Sequence, residues 1–134
     1  MEARDHFLIS VLVSSIASAL VFPRITVLAL VAAITGILAG VLIDFDHFII
    51  ARWKTGNWDY LTTSISDPVT AFARHKTILE DIETVVPSEE RLLTHATLTA
   101  IAFTTLYFLS SETSLVVLAS LTAHILSDIY YSYW

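Results

Sequence analysis

The sequence predicts an all-α fold: an integral membrane four-helix bundle with an amphipathic cytoplasmic helix between spans 2 and 3. Three observations carry this. Of the 134 residues, 55% are apolar and only 15% charged, with a mean hydropathy of +0.71, which is more apolar side chain than a core of this size can hide. Four apolar runs approach the ~20 residues needed to cross a bilayer. Within those runs, small and polar residues recur every fourth position, as in His6, Ser10, Ser14 and Ser18, or Ala32, Gly36, Gly40 and Asp44. Stripes of small residues are where membrane helices approach closely, so the acid or imidazole at the mouth of each stripe is expected to face the bundle and not lipid. One domain, 1–134, is expected.

The first span covers about 6–22. Its apolar run, Phe7 to Phe22, is serine-rich and stops at Pro23-Arg24. It does not read as a cleavable signal, because Arg4 is offset by Glu2 and Asp5 and the run leads straight into another. The second span, about 25–45, contains Ile25 to Ile43 without a charge and ends at Asp44. A polar loop over 51–90 follows, with Trp53, Trp58 and Tyr60 as interfacial anchors. Asp67-Pro68 supplies an N-cap and a first-turn proline. Val69, Phe72, Leu79, Ile82 and Val86 then fall near helical spacing, which describes either an amphipathic helix on the membrane surface or an ordinary solvated one. Pro87-Ser88 ends that helix and caps the third span, about 90–109, with Glu89 and Glu90 at the positive end of its dipole. Ser110 to Ser114 is a polar turn. The fourth span, about 114–131, closes in an aromatic belt of Tyr130, Tyr131, Tyr133 and Trp134.

Charge and composition exclude several partners. The net charge is −6 with no basic cluster, so no nucleic acid is expected and the lipid bilayer is the expected environment. The absence of cysteine rules out disulfides and thiolate metal sites. Four spans place both termini and the long loop on one side, with Arg4, Arg52, Lys54, Arg74, Lys76 and Arg91 against Arg24 alone. The positive-inside rule then predicts a plasma or inner membrane location with both termini cytoplasmic.

This topology gathers the ionisable residues at one membrane face. His6 starts the first span, Asp44, Asp46 and His47 end the second, His95 starts the third, and His124 and Asp128 lie near the end of the fourth. Each has an ordinary explanation alone: an interfacial histidine, a helix-end cap, a packed ring. His124 and Asp128 resist it, because an ionisable residue inside a span costs ~3 kcal/mol on insertion scales. Three neighbouring carboxylates also repel one another unless a cation sits among them. The seven residues are therefore candidate metal ligands, and imidazole with carboxylate suits one or two divalent ions of zinc, manganese or iron. Asp46 lies ~200° round a regular helix from Asp44. Either the helix unwinds after Asp44 or Asp46 orients an imidazole from behind. A bound metal would activate water, Asp46 or Asp128 would accept its proton, and Arg91, one turn before His95, would hold an anionic headgroup. The depth of the site points to a lipid or other amphiphilic substrate.

At these residues the chain resembles the membrane-bound metal-dependent hydrolase family typified by the bacterial inner-membrane protein YdjM, also described as LexA-binding. The resemblance rests on His6, an Asp-x-Asp-His element (Asp44, Asp46, His47), an Arg-x-x-Thr-His element (Arg91, Thr94, His95) and a closing His-x-x-x-Asp (His124, Asp128). These run in order along nearly the whole chain. Ile43 replaces the family's usual proline, Ala96 its serine and Leu92 its glycine. The resemblance implies an integral membrane hydrolase with a metal site and little about what is cut. The Ser-Arg and Pro-Ser-Gly-His elements of PAP2-type lipid phosphatases are absent, Glu89-Glu90 runs directly into Arg91 without the spacing of membrane CAAX proteases, and no His-Glu-x-x-His occurs.

Two other classes fit the same residues. Asp44-x-x-His47 imitates the carboxylate and histidine spacing of di-iron bundles, which would make a membrane di-metal oxidase. The deep serines of the first span suit a non-enzymatic ion-binding, transport or interaction protein.

Overall fold

The computed structural model describes residues 3–67, 82 and 84–133. Among them run the helices α1 (Ala3–Val21), α2 (Val27–Leu42), α3 (Phe45–Thr55), α4 (Asp59–Ser66), α5 (Ser88–Leu109) and α6 (Ser111–Tyr133). No strand occurs among the described residues. Four stretches are long and apolar enough to cross a membrane: Arg4–Val21, Val27–Thr55, Ser88–Leu109 and Ser111–Tyr131.

The helices pack with polarity reversed relative to a protein folded in water. On α1, His6, Ser10, Ser14 and Ser18 are buried, while Leu8, Leu12, Ile16 and Leu20 point outward. Burial of leucine drives folding in water, so an exterior of leucine around an interior of serine and histidine is consistent with a membrane protein, where lipid is as apolar as the side chains facing it.

The hub is α6, which packs against α1, α2 and α5, while α1 also packs against α2. What lets α1, α2 and α6 approach is the absence of side chains on α2. A Cβ on Gly36 would meet Ser14 Oγ at 2.6 Å and Val116 Cγ1 at 3.2 Å. One on Gly40 would overlap Ser10 Oγ and lie 2.8 Å from Ser120 Oγ. At the far end of this seam, Ser18 Oγ donates to Ala29 O at 2.7 Å. An apolar cluster of Ile43, Val117 and Leu121, flanked by Ala39, Ala102 and Leu106, joins α2 and α5 to α6.

Caps fix the ends. Thr26 Oγ1 accepts the Ala29 N–H at 3.2 Å to begin α2 after the Pro23-Arg24 break. Gly56, at φ 82°, ends α3 in the left-handed conformation that only glycine adopts without steric cost.

The polar loop expected from residue 51 starts later. The helical backbone continues to Thr55, because Ala51 is fully buried against Ile82 and Val86 in a small cluster with Phe48 and Tyr60. The helix α4 was not expected; Asp67, predicted to begin a helix, terminates this one. Most of the predicted amphipathic helix, including Val69, Phe72 and Leu79, lies outside the described residues. Pro87 occupies the N-cap of α5 with no side-chain cap bond, so Ser88 is the first helical residue and does not cap. The expected Ser110–Ser114 turn shrinks to Ser110, whose Oγ accepts the Thr113 N–H at 3.2 Å and starts α6 at Ser111. Trp53, Trp58, Tyr130 and Tyr131 are exposed, Tyr60 is half-buried against the Ala51 cluster, and Trp134 lies outside the described residues.

Candidate metal centre

The second apolar segment positions its acids through a local change of winding. Ile43 and Asp44 keep right-handed helical angles, but the Asp46 N–H donates to Ile43 O at 3.2 Å and the His47 N–H to Asp44 O at 3.3 Å. These are three-residue bonds, and at three residues per turn the side chain of His47 falls over that of Asp44. Asp46 and His47 are then both buried, facing α5.

Around Asp44 the other elements supply imidazoles. Asp44 Oδ1 lies 3.2 Å from His124 Nε2, 3.3 Å from His95 Nε2 and 3.9 Å from His47 Nε2. Asp128 Oδ1 lies 3.3 Å from His6 Nε2, while its Oδ2 is 3.6 Å from His95 Nε2 and 3.7 Å from His124 Nε2. The rings stack in two pairs: His6 on His124 at 4.0 Å between centroids, and His47 on His95 at 5.1 Å. These four histidines are at most 5% exposed. Six of the seven candidate ligands thus converge, and they form two groups able to hold a metal ion, His6, Asp44, His124 and Asp128 in one, Asp44, His47 and His95 in the other.

Asp46 stands outside both groups. Its Oδ2 lies 2.9 Å from His95 Nδ1 and accepts a 2.5 Å hydrogen bond from Thr94 Oγ1. Of the two alternatives read from the helix register, both hold in part: the winding changes at Asp44, and Asp46 orients a ring from behind. A carboxylate on one imidazole nitrogen fixes the tautomer that presents the other. Here it turns His95 Nε2 towards Asp44.

The donors fit a cation better than they fit one another. Buried polar atoms normally find hydrogen-bond partners, yet His47 Nε2, His124 Nε2 and Asp128 Oδ2 are buried without one. His124 Nε2 lies at hydrogen-bond distance from Asp44 Oδ1 but lacks the alignment an N–H···O bond requires. Nitrogen and oxygen separations of 3.2–3.9 Å bracket the ~3.3 Å edge of a tetrahedron of ligands ~2.0–2.1 Å from a zinc-sized ion.

Arg91 projects from the first turn of α5 with its Nε 3.8 Å from Asp128 Oδ2 and its side chain 11% exposed, at the rim of the cluster. Sequence reasoning missed two supports. Thr94 was visible only as a motif letter, with nothing to connect it to Asp46. The Lys54–Glu90 ion pair at 2.5 Å ties the end of α3 to the start of α5, and Lys54 Nζ also donates to Val85 O at 3.0 Å; no local pattern predicts a contact across 36 positions. No family model, curated protein or solved structure matches this chain.

Proposed function

We propose that this chain is a membrane-embedded, metal-dependent hydrolase whose site lies near the cytoplasmic surface and acts on a lipid or other amphiphilic substrate. The observation that carries the reading is the convergence of four imidazoles on the Asp44 and Asp128 carboxylates, with buried nitrogens and oxygens unpartnered and aimed at common points. The ordered motifs from His6 to Asp128 support placing it beside the YdjM-like hydrolases, and the distribution of arginine and lysine supports cytoplasmic termini.

A bound zinc, manganese or iron ion would lower the pKa of a water towards 7 and polarise the bond to be cut. The chain's own groups then divide the work. With Asp128 Oδ1, which faces His6, left to hold the ion, its Oδ2, facing both His95 and His124, is the oxygen placed to receive a proton. Asp46 lies behind the His95 ring and serves as a positioning residue, leaving the base role to Asp128. Arg91 at the rim offers a fixed positive charge to a phosphate or carboxylate headgroup.

The test is turnover by the purified full chain in nanodiscs, loaded with each metal, against dispersed phospholipids and fluorogenic acyl and phosphate esters. Activity that chelation removes and metal restores, and that Asp44→Asn with His124→Ala abolishes, is expected. Wild type and double variant holding equally little metal would remove the basis of the proposal.

One observation favours a second reading. Ser10, Ser14 and Ser120 bury hydroxyls that have no hydrogen-bond partner among the described residues, deeper in the bundle than the metal centre. Such a file suits the passage of an ion. Ion flux into liposomes by a chain without turnover on any of these substrates would favour it over hydrolysis.

A further inference from the structure

We propose that the centre holds two ions of unequal standing, bridged by Asp44: a closed four-donor site between α1, α2 and α6, and an open three-donor site between α3 and α5. This rests on the metal reading above and deepens it.

Asp44 is the only residue common to the two donor groups. Its Oδ1 lies 3.2 Å from His124 Nε2 and 3.3 Å from His95 Nε2, so one carboxylate serves both. The stacked ring pairs divide along the same line. His6 and His124 belong to the first group, while His47 and His95, nearly parallel at 13°, belong to the second. Across the divide, His95 and His124 are tilted by 55°, and their Nε2 atoms meet at the shared Asp44 Oδ1. The six residues fall into two groups, within each of which the donor atoms lie within 4.8 Å of one another, and leaving either group unused strands buried imidazole nitrogen.

The inequality follows from donor number and support. Two imidazoles with two carboxylates complete a tetrahedral shell, which is how structural sites are closed; three protein donors leave a position for water or substrate, which is how catalytic sites are kept open. The four-donor group also stands on the helices brought together at Gly36 and Gly40. The three-donor group is finished by α5, which buries only His95 and Thr99. The first ion is therefore the tightly held one, and the second exchanges and meets the substrate. With two divalent ions and Arg91 against Asp44, Asp46 and Asp128, the cluster carries excess positive charge, so the open position favours an anionic group.

The decisive measurement is manganese content and electron paramagnetic resonance of the full chain in nanodiscs. Two ions per chain with an exchange-coupled spectrum are expected, as for ions about 3.5–4 Å apart. His47→Ala, or His47→Gln if that variant folds poorly, should retain one ion and give the uncoupled six-line signal. One uncoupled ion per chain in the wild type overturns the two-ion proposal while leaving the hydrolase reading intact if turnover persists. Two coupled ions in a chain with no turnover overturn only the hydrolase reading. Two ions retained after substitution of His47 overturn the assignment of donors.

Discussion

The two halves of the centre use the same donor chemistry on opposite kinds of support. His6, His124 and Asp128 stand on helices that α2 holds at backbone distance, because Gly36 and Gly40 leave no room for a side chain against Ser14, Ser10 and Ser120. His47 and His95 stand on an eleven-residue helix and on one that packs mainly against α6. The second half compensates with polar fastenings: Asp46 and Thr94 behind His95, and Lys54 with Glu90 at the rim. Close packing fixes a donor by leaving it nowhere else to go, whereas a hydrogen bond fixes it only while both partners keep their charge and position.

Substitutions can break or sharpen this contrast. Gly40→Leu should have the largest effect, preventing closure of α1, α2 and α6 and costing about 3 kcal/mol or more. Ala100→Leu on the exposed face of α5 should stay within about 0.5 kcal/mol. Denaturant titration in micelles compares the two, and equal midpoints would dissolve the distinction between the halves. Asp46→Asn should act next most strongly. It keeps the shape but weakens the hold on His95, so affinity for the ion at His95 should fall about 10–100-fold while the ion at His124 is unaffected, read by chelator competition. Thr94→Val, which removes one hydrogen bond from Asp46, should reproduce this in weaker form, about 1 kcal/mol or some fivefold. Lys54→Ala should be smallest, under about 1 kcal/mol for a pair one-third to one-half exposed. Its signature is faster amide exchange confined to the first turns of α5.

The legible parts were those encoded locally. Four-residue spacing announced which faces of α1, α2 and α6 turn inward, since His6 to Ser18 and Ser120 to Asp128 each lie on one side of a helix whatever their partners. That these ends share one face followed from counting spans. The relation between Asp46, Thr94 and His95 was not legible, because it depends on a one-residue tightening at Asp44 and on two segments about 48 positions apart. The extension of α3 was hidden by composition. Arg52, Trp53 and Lys54 look like loop, and only the burial of Ala51 beside them explains the helix; Gly56 was a readable stop signal that the polar composition masked.

The joint at Ser110 has a mechanical consequence. Because a single non-helical residue joins α5 to α6, the pair resembles tongs pivoted at the end remote from the histidines. His95 sits fifteen positions from that pivot, a lever of ~22 Å at 1.5 Å per residue, so a swing of ~5° would carry its ring ~2 Å. A displacement of that size is the difference between an imidazole within coordination reach of an ion and one outside it, so a fixed angle at this hairpin is a condition for the proposed centre.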